Sequence, residues 1–212
     1  IGIIIVAILI NSYLINNSLK KSRQINEEIS ELYVPSVSHL NELYNQVSRS
    51  KALIKNWVFI DNRTDTPDKL ELKQLHKEEF PELHSQISNL ADQWEQSERK
   101  QYEHIYTTIK DTLFAKHQTI MTSLDEPEAY NDPMIMFDVS PMVDDNGEVI
   151  LKTNETLENI SSLQQRMQSK MEASRSQMTQ TFNRFEKFII ILGISLVVIS
   201  AAIAFFLTRT TV

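Results

Sequence analysis

The sequence has no cysteine, which removes disulfide frameworks and thiolate metal sites from consideration. It has only three glycines. Gly2 and Gly193 lie inside apolar runs, so Gly147 alone serves the rest of the chain. Phosphate-cradling loops and the nucleophile elbow each need several glycines close together, and both are excluded. Basic charge is also in short supply. Over 212 residues the formal net charge is -7, and every charge except Arg209 lies between residues 16 and 187. An acidic chain of that kind argues against nucleic acid as a partner. Histidine is sparse and badly spaced for a metal: the five are His39, His76, His84, His104 and His117. In "HKEEFPELH", His76, Glu79 and His84 miss the i, i+4 spacing that ligands on a helix prefer, and Pro81 disturbs the face. Nothing marks a catalytic pair of carboxylates. The expectation is a chain that is not an enzyme and takes no cofactor and no metal.

What the sequence has in quantity is apolar residues at its two ends. "FIIILGISLVVISAAIAFFL", residues 188–207, carries no charge. As a helix it is about 30 Å long, enough to cross a hydrocarbon core. "IGIIIVAILINSYLI", residues 1–15, is shorter and holds Asn11 near its middle. It lacks a following small-x-small cleavage site, so it is expected to be an uncleaved transmembrane helix that starts upstream of residue 1. Two spans would place both chain ends on one side of the membrane and the middle on the other. Lys20, Lys21 and Arg23 follow the first span closely, which by charge alone favours a cytoplasmic middle.

The middle reads as long helices. Ile25, Ile29, Leu32, Val37, Leu40, Tyr44, Val47, Ile54 and Val58 recur at steps of three and four, with Pro35 expected to kink the helix. Thr66 and Pro67 look like a helix start. A second stripe follows in Phe80, Leu83, Ile87, Leu90 and Trp94, with Pro81 a kink or a break. Ser97 is a candidate cap for a third helix carrying Tyr102, Ile105, Ile109, Leu113, Ile120 and Leu124. The last helix runs from about Asn154 into the apolar tail, with Leu157, Ile160, Met167, Met171, Met178 and Phe185 at heptad spacing and Gln164, Ser174 and Thr181 filling seam positions. Residues 125–152 hold three prolines and Gly147, and Asn146-Gly147 between short apolar runs signals a β-hairpin. The expected fold class is all-α: an antiparallel four-helix bundle between two transmembrane helices, with a small hairpin insertion at 125–152.

Several segments resemble a known family. "ELYVPSVSHLNEL" looks like the opening of the first bundle helix in the sensor regions of bacterial chemoreceptors and related sensor kinases. "LADQWEQSERKQY" is similar to their second-to-third helix region. "FFLTRTTV" resembles the exit from a second span into a HAMP linker. The stretch 125–152 is longer than the family's usual connection. The resemblance implies residues 16–187 as an extracytoplasmic sensor domain, 208–212 as the start of a cytoplasmic linker, and an output domain beyond Val212. It implies a homodimer in the bacterial inner membrane, in contact with lipid, with helix one at the dimer interface through positions such as Leu40 and Val47.

Two functions fit these features. One is a sensor whose helices shift on binding a ligand or a partner protein. The other is a structural bundle, anchored at both ends, that braces a larger envelope complex. For a sensor, similar bundles place ligands where "SRSKALIKNWVFIDNR" lies. Arg49, Lys51 and Lys55 are basic residues in an acidic chain, and Lys51 and Lys55 share a helical face. Trp57 could stack on a ligand. These four residues suggest an anionic small molecule. The alternatives are a basic stripe paired with acidic residues of the last helix, a site under the 125–152 flap, or recognition through a separate periplasmic binding protein.

Overall fold

The computed structural model describes residues 2–60 and 62–210. Ile1 of the first expected span, and Thr211 and Val212 of the expected linker, lie outside the described residues. The elements are α1 (Gly2–Glu27), a π-helical stretch (Glu28–Tyr33), α2 (Val34–Phe59), α3 (Pro67–Gln74), a second π-helical stretch (Leu75–Glu79), α4 (Phe80–Ala91), α5 (Gln96–Thr107), a third π-helical stretch (Thr108–Phe114), α6 (Ala115–Ser123), a 3-10 turn (Pro127–Asn131), α7 (Pro133–Val143) and α8 (Glu148–Thr210). The chain is all-α, and no strand occurs among the described residues.

The prolines explain two of the irregularities. Pro35 and Pro81 lack an N–H and crowd the carbonyl four residues back. The π-helical stretches Glu28–Tyr33 and Leu75–Glu79 end just before them, so the wider turn absorbs the lost bond and the helix continues. Where sequence reading allows a break at Pro81, α3 therefore runs on into α4. Ser97 is not a cap either: Glu95 takes the extended position before α5, and the Ser97 hydroxyl donates to Glu98 at 2.9 Å inside the helix.

The expected β-hairpin is replaced by a helix. Asp132 caps α7 by accepting from the Met134 N–H at 2.8 Å, and Pro133 occupies the first helical position. Asn146-Gly147 then forms the turn into α8. The Gly147 N–H donates to the Asp144 carbonyl at 2.7 Å, and its own carbonyl accepts from Leu151. A Cβ on Gly147 would lie 2.4 Å from the backbone oxygens of both Pro141 and Met142. Glycine is needed here for close approach. Gly147→Ala is expected to cost about 1–3 kcal/mol through forced backbone movement, measurable as a lower urea midpoint, whereas Gly193→Ala meets nothing within 4 Å and should be silent.

The chain divides into two compact units. Residues 32–169 form the larger. Its first core cluster draws Leu40, Leu43 and Val47 from α2, Leu83 and Ile87 from α4, Tyr102 and Ile105 from α5, and Ile160, Leu163 and Met167 from α8. Leu40 and Val47, expected at a dimer interface, are thus core residues of a single chain. A second cluster joins Ile54, Trp57 and Val58 to Leu72, Ile120, Val139, Val143 and Val149. The contacts between segments step in opposite senses. Ser36 of α2 accepts from Trp94 at 2.9 Å, and Asn56 of α2 donates to Asp68 at 2.7 Å. Gln101 donates to the Asn159 carbonyl at 3.2 Å, while Lys116 pairs with Glu148.

The smaller unit holds residues up to 31 and from 170 onward. Along α8, Met171, Ser174, Met178, Thr181, Phe185, Phe188 and Leu192 are half-buried between exposed neighbours. Their alternating steps of three and four are the heptad seam legible in the sequence. Among the described residues one helical stretch, ending at Phe205, is long and apolar enough to cross a membrane, with a mean hydropathy of 2.9 and none of that window buried. It is the C-terminal part of α8.

Candidate functional site

Trp57, near the end of α2, is the centre of the most unusual chemistry in the larger unit. The residue is 2% exposed. Its ring is covered by two lysines, with the Lys69 Nζ 5.1 Å and the Lys73 Nζ 5.6 Å from the centroid. Lys69 is 1% exposed, far from the usual fate of a lysine. Its ammonium also lies 4.8 Å over the Tyr130 ring and donates to the Tyr130 Oη at 2.9 Å. Tyr130 in turn donates to the Trp57 carbonyl at 2.8 Å. The aromatic faces and these hydrogen bonds replace part of the hydration that the buried charge gives up.

Three segments build this arrangement. The end of α2 supplies Asn56 and Trp57. The start of α3 supplies Thr66, Asp68 and Lys69. The 3-10 turn begun by Pro127 supplies Tyr130. Asn56 fixes the first two together through its hydrogen bond to the Asp68 carboxylate. A cavity of about 120 Å³ lies among these residues, with Ile60 and Pro67 in its wall.

The sequence-predicted residues are placed as follows. Arg49 forms ion pairs with Glu71, at 3.3 Å, and with Glu79. Lys51 donates to the Asn154 Oδ1 at 2.9 Å. Lys55 pairs with Asp145 at 2.8 Å. That hydrogen bond and charge, with a smaller contribution from Lys51, hold the Asp145 carboxyl below its ordinary range. Lys51 and Lys55 are therefore brought to neighbouring partners at the start of α8, and Arg49 is directed to the α3 side. Trp57 meets Lys69 and Lys73 instead. Lys51 also lines a broad polar groove of about 570 Å³ with Tyr44, Ser48, Asn154, Ser161 and Gln165.

The histidines form a separate feature. His76 stacks on Phe114 with centroids 3.7 Å apart, and on His117 at 5.3 Å. The His76 Nε2 and His117 Nδ1 are 3.2 Å apart and share one hydrogen. Farther along, His84 stacks on Tyr106 at 3.5 Å and bonds to the Tyr102 hydroxyl at 2.8 Å. Burial pushes His76 down to about 4. Burial, with the neighbouring His76 as a smaller cause, pushes His117 down to about 3. Both are neutral packing groups near neutral pH. Among the described residues no group of three or more histidine and carboxylate side chains could hold a metal ion.

No family model, curated protein sequence or solved structure matches this chain. The Trp57–Lys69–Tyr130 cluster is the part that sequence reading missed. One signal was available: Lys69 precedes Leu72 by three residues and so continues the buried stripe of α3 backwards.

Proposed function

We propose that the chain is the sensory region of a bacterial transmembrane signalling receptor, of the chemoreceptor or sensor-kinase type. Its helical core is an antiparallel four-helix bundle, and a ligand or partner protein alters how the core helices pack. The observation that carries this reading is the continuity of α8. One helix, Glu148–Thr210, supplies Ile160, Leu163 and Met167 to the core and also contains the membrane-length apolar segment. A change in packing at its beginning has a direct covalent and hydrogen-bonded route to its end.

The reading places the protein in the inner membrane with two spans, residues 16–187 outside the cytoplasm and both ends inside. A reporter fused at Asp145, whose side chain is 89% exposed, is expected to be active as an exported fusion. Activity only as a cytoplasmic fusion would refute the topology.

The reading also includes a homodimer through α2. Leu40 and Val47 are spent on the core, so the face available to a partner is the exposed one, with Tyr44, Ser48 and Ala52. Cysteine at Ser48 is expected to crosslink two chains in membranes, and cysteine at Val47 is not. Absence of a crosslink along the whole exposed face of α2 would remove the dimer from the proposal.

A further inference from the structure

We infer that the groove between α1 and α8, where the C-terminal apolar run begins, is a binding site for one anionic phospholipid. A cavity of about 250 Å³ lies between the two helices. Leu14, Asn17, Ser18 and Lys21 of α1 form one wall. Thr181, Arg184, Phe185 and Phe188 of α8 form the other. Within each wall the residues stand three, four and seven positions from the first, so each wall is one continuous helical stripe.

The lining carries two cations and no carboxylate. Neither Lys21 nor Arg184 has an ion-pair or hydrogen-bond partner among the described residues. Asn17 and Ser18 place an amide and a hydroxyl in the same lining. The Thr181 hydroxyl donates to the Gln177 carbonyl at 2.9 Å and is left as an acceptor only. An ammonium and a guanidinium with neutral donors alongside are suited to a phosphate group.

The apolar side chains decide where that phosphate comes from. Phe188 opens the uncharged run 188–207, and Arg184 lies four residues, about 6 Å, before it. A molecule seated against both therefore lies across the boundary between water and hydrocarbon. A free phosphate ion would leave Leu14, Phe185 and Phe188 uncovered. A phospholipid meets both requirements: its phosphate reaches Lys21 and Arg184, and its glycerol esters cover the phenylalanines. An apolar cavity of about 150 Å³ accommodates benzene, so about 250 Å³ has room for a phosphodiester and part of its glycerol. The acyl chains then run on beside α8, where Ile191 and Ile194 are exposed. A zwitterionic headgroup would bring its own ammonium toward two cations and is disfavoured. A second copy of this chain is disfavoured in the same way, because two facing grooves would place four cations together.

Cations near an anionic membrane surface attract lipid without any site. The groove makes a sharper demand: Lys21 and Arg184 line it, whereas Lys20 and Lys187 on the same helices do not. The inference deepens the sensory reading. It rests on the membrane span of that reading at residues 188–207, and not on which side the middle lies.

In the test the full chain is purified in detergent, stripped of lipid and titrated with phosphatidylglycerol, and bound lipids are counted by native mass spectrometry. One lipid per chain is expected to saturate before any other binds. Phosphatidylcholine with the same acyl chains should not give this first saturating event, and glycerol 3-phosphate should not displace the bound lipid. Lys21→Gln and Arg184→Gln should each weaken binding about tenfold by removing a hydrogen bond to a charged group. Lys20→Gln and Lys187→Gln make the same charge change outside the groove and should leave binding unaltered. All four positions are exposed, and circular dichroism checks that each variant keeps its helices. If phosphatidylcholine binds equally well, or if all four variants weaken binding alike, the cations are interfacial anchors only and the inference is overturned. Displacement by glycerol 3-phosphate would overturn it in favour of a free phosphate ligand. A dimer that binds no phosphatidylglycerol would overturn it in favour of a second copy in the groove. None of these failures touches the Asp145 fusion, and failure of that fusion would leave the lipid result standing.

Discussion

Acidification from pH 6.5 to 4 is expected to remove several kcal/mol from the stability of the helical core. The cause is the stacked pair His76 and His117. In the unfolded chain each has an ordinary histidine pKa of about 6.5. In the fold burial lowers them to about 4 and about 3. Below pH 6.5 the unfolded state therefore binds more protons than the folded one, and stability falls with pH by roughly 1.4 kcal/mol per unit for each histidine. The contribution is complete above pH 6.5. It declines until the folded forms themselves protonate, near pH 4 for His76 and near pH 3 for His117. His84, lowered by burial and by Lys110, adds to the same trend. The check is urea unfolding at closely spaced pH values for the native chain and for a His76→Phe, His117→Leu variant. Carboxylates titrate in both proteins, so the difference between the two curves isolates the histidines. Parallel curves would show that the ring pair is not a buried neutral unit.

The second large effect concerns the apolar end of α8. Ile194 and Val197 are exposed and charge-free surroundings flank them. Arginine at both positions is expected to add about 5–7 kcal/mol to the cost of insertion, from about 2.5–3.5 for each charge near a helix centre. A tag at the C-terminus should then change sides in a protease-protection assay. The same pair of substitutions at Lys100 and Glu103, on the solvent face of α5, should change nothing. Retention of the native tag position with both arginines in place would show that residues 188–207 do not span the bilayer.

The fold was largely readable because its signals are periodic. The stripes at Phe80, Leu83, Ile87 and at Tyr102, Ile105, Ile109 mark buried faces that the structure also buries. Local punctuation was harder to interpret. Pro35 and Pro81 remove one helical bond each, and a helix can answer with a break, a kink or a widened turn; only packing decides among them. Asn146-Gly147 is equally compatible with a hairpin and with the tight entry to a helix. What decides here is the cap at Asp132–Pro133, which commits the preceding residues to α7. At the site, sequence reading grouped Trp57 with Arg49, Lys51 and Lys55, whereas the lysines over its ring are Lys69 and Lys73. Lysines are expected at the surface, and the burial of Lys69 depends on Tyr130, which is sixty-one residues away and carries no local sign of the contact.

The π-helical stretches have a further consequence for how this chain tolerates changes in length. A widened turn holds one residue more than an α-helical turn, so deleting that residue can restore regular winding while the side chains on either side keep their directions. The buried positions four apart in a row at Ile105, Ile109, Leu113 and His117 are the trace of such an added residue. In α3–α4 and in α5–α6 the chain thus has slack. The 63-residue α8 contains no widened turn, and one residue added or removed within it would turn every later side chain by about 100°. A residue added between Ser174 and Met178 would break the alternating steps of three and four of the seam on this helix. Length variation should therefore be permitted in the middle helices of such a chain and penalised in the last one.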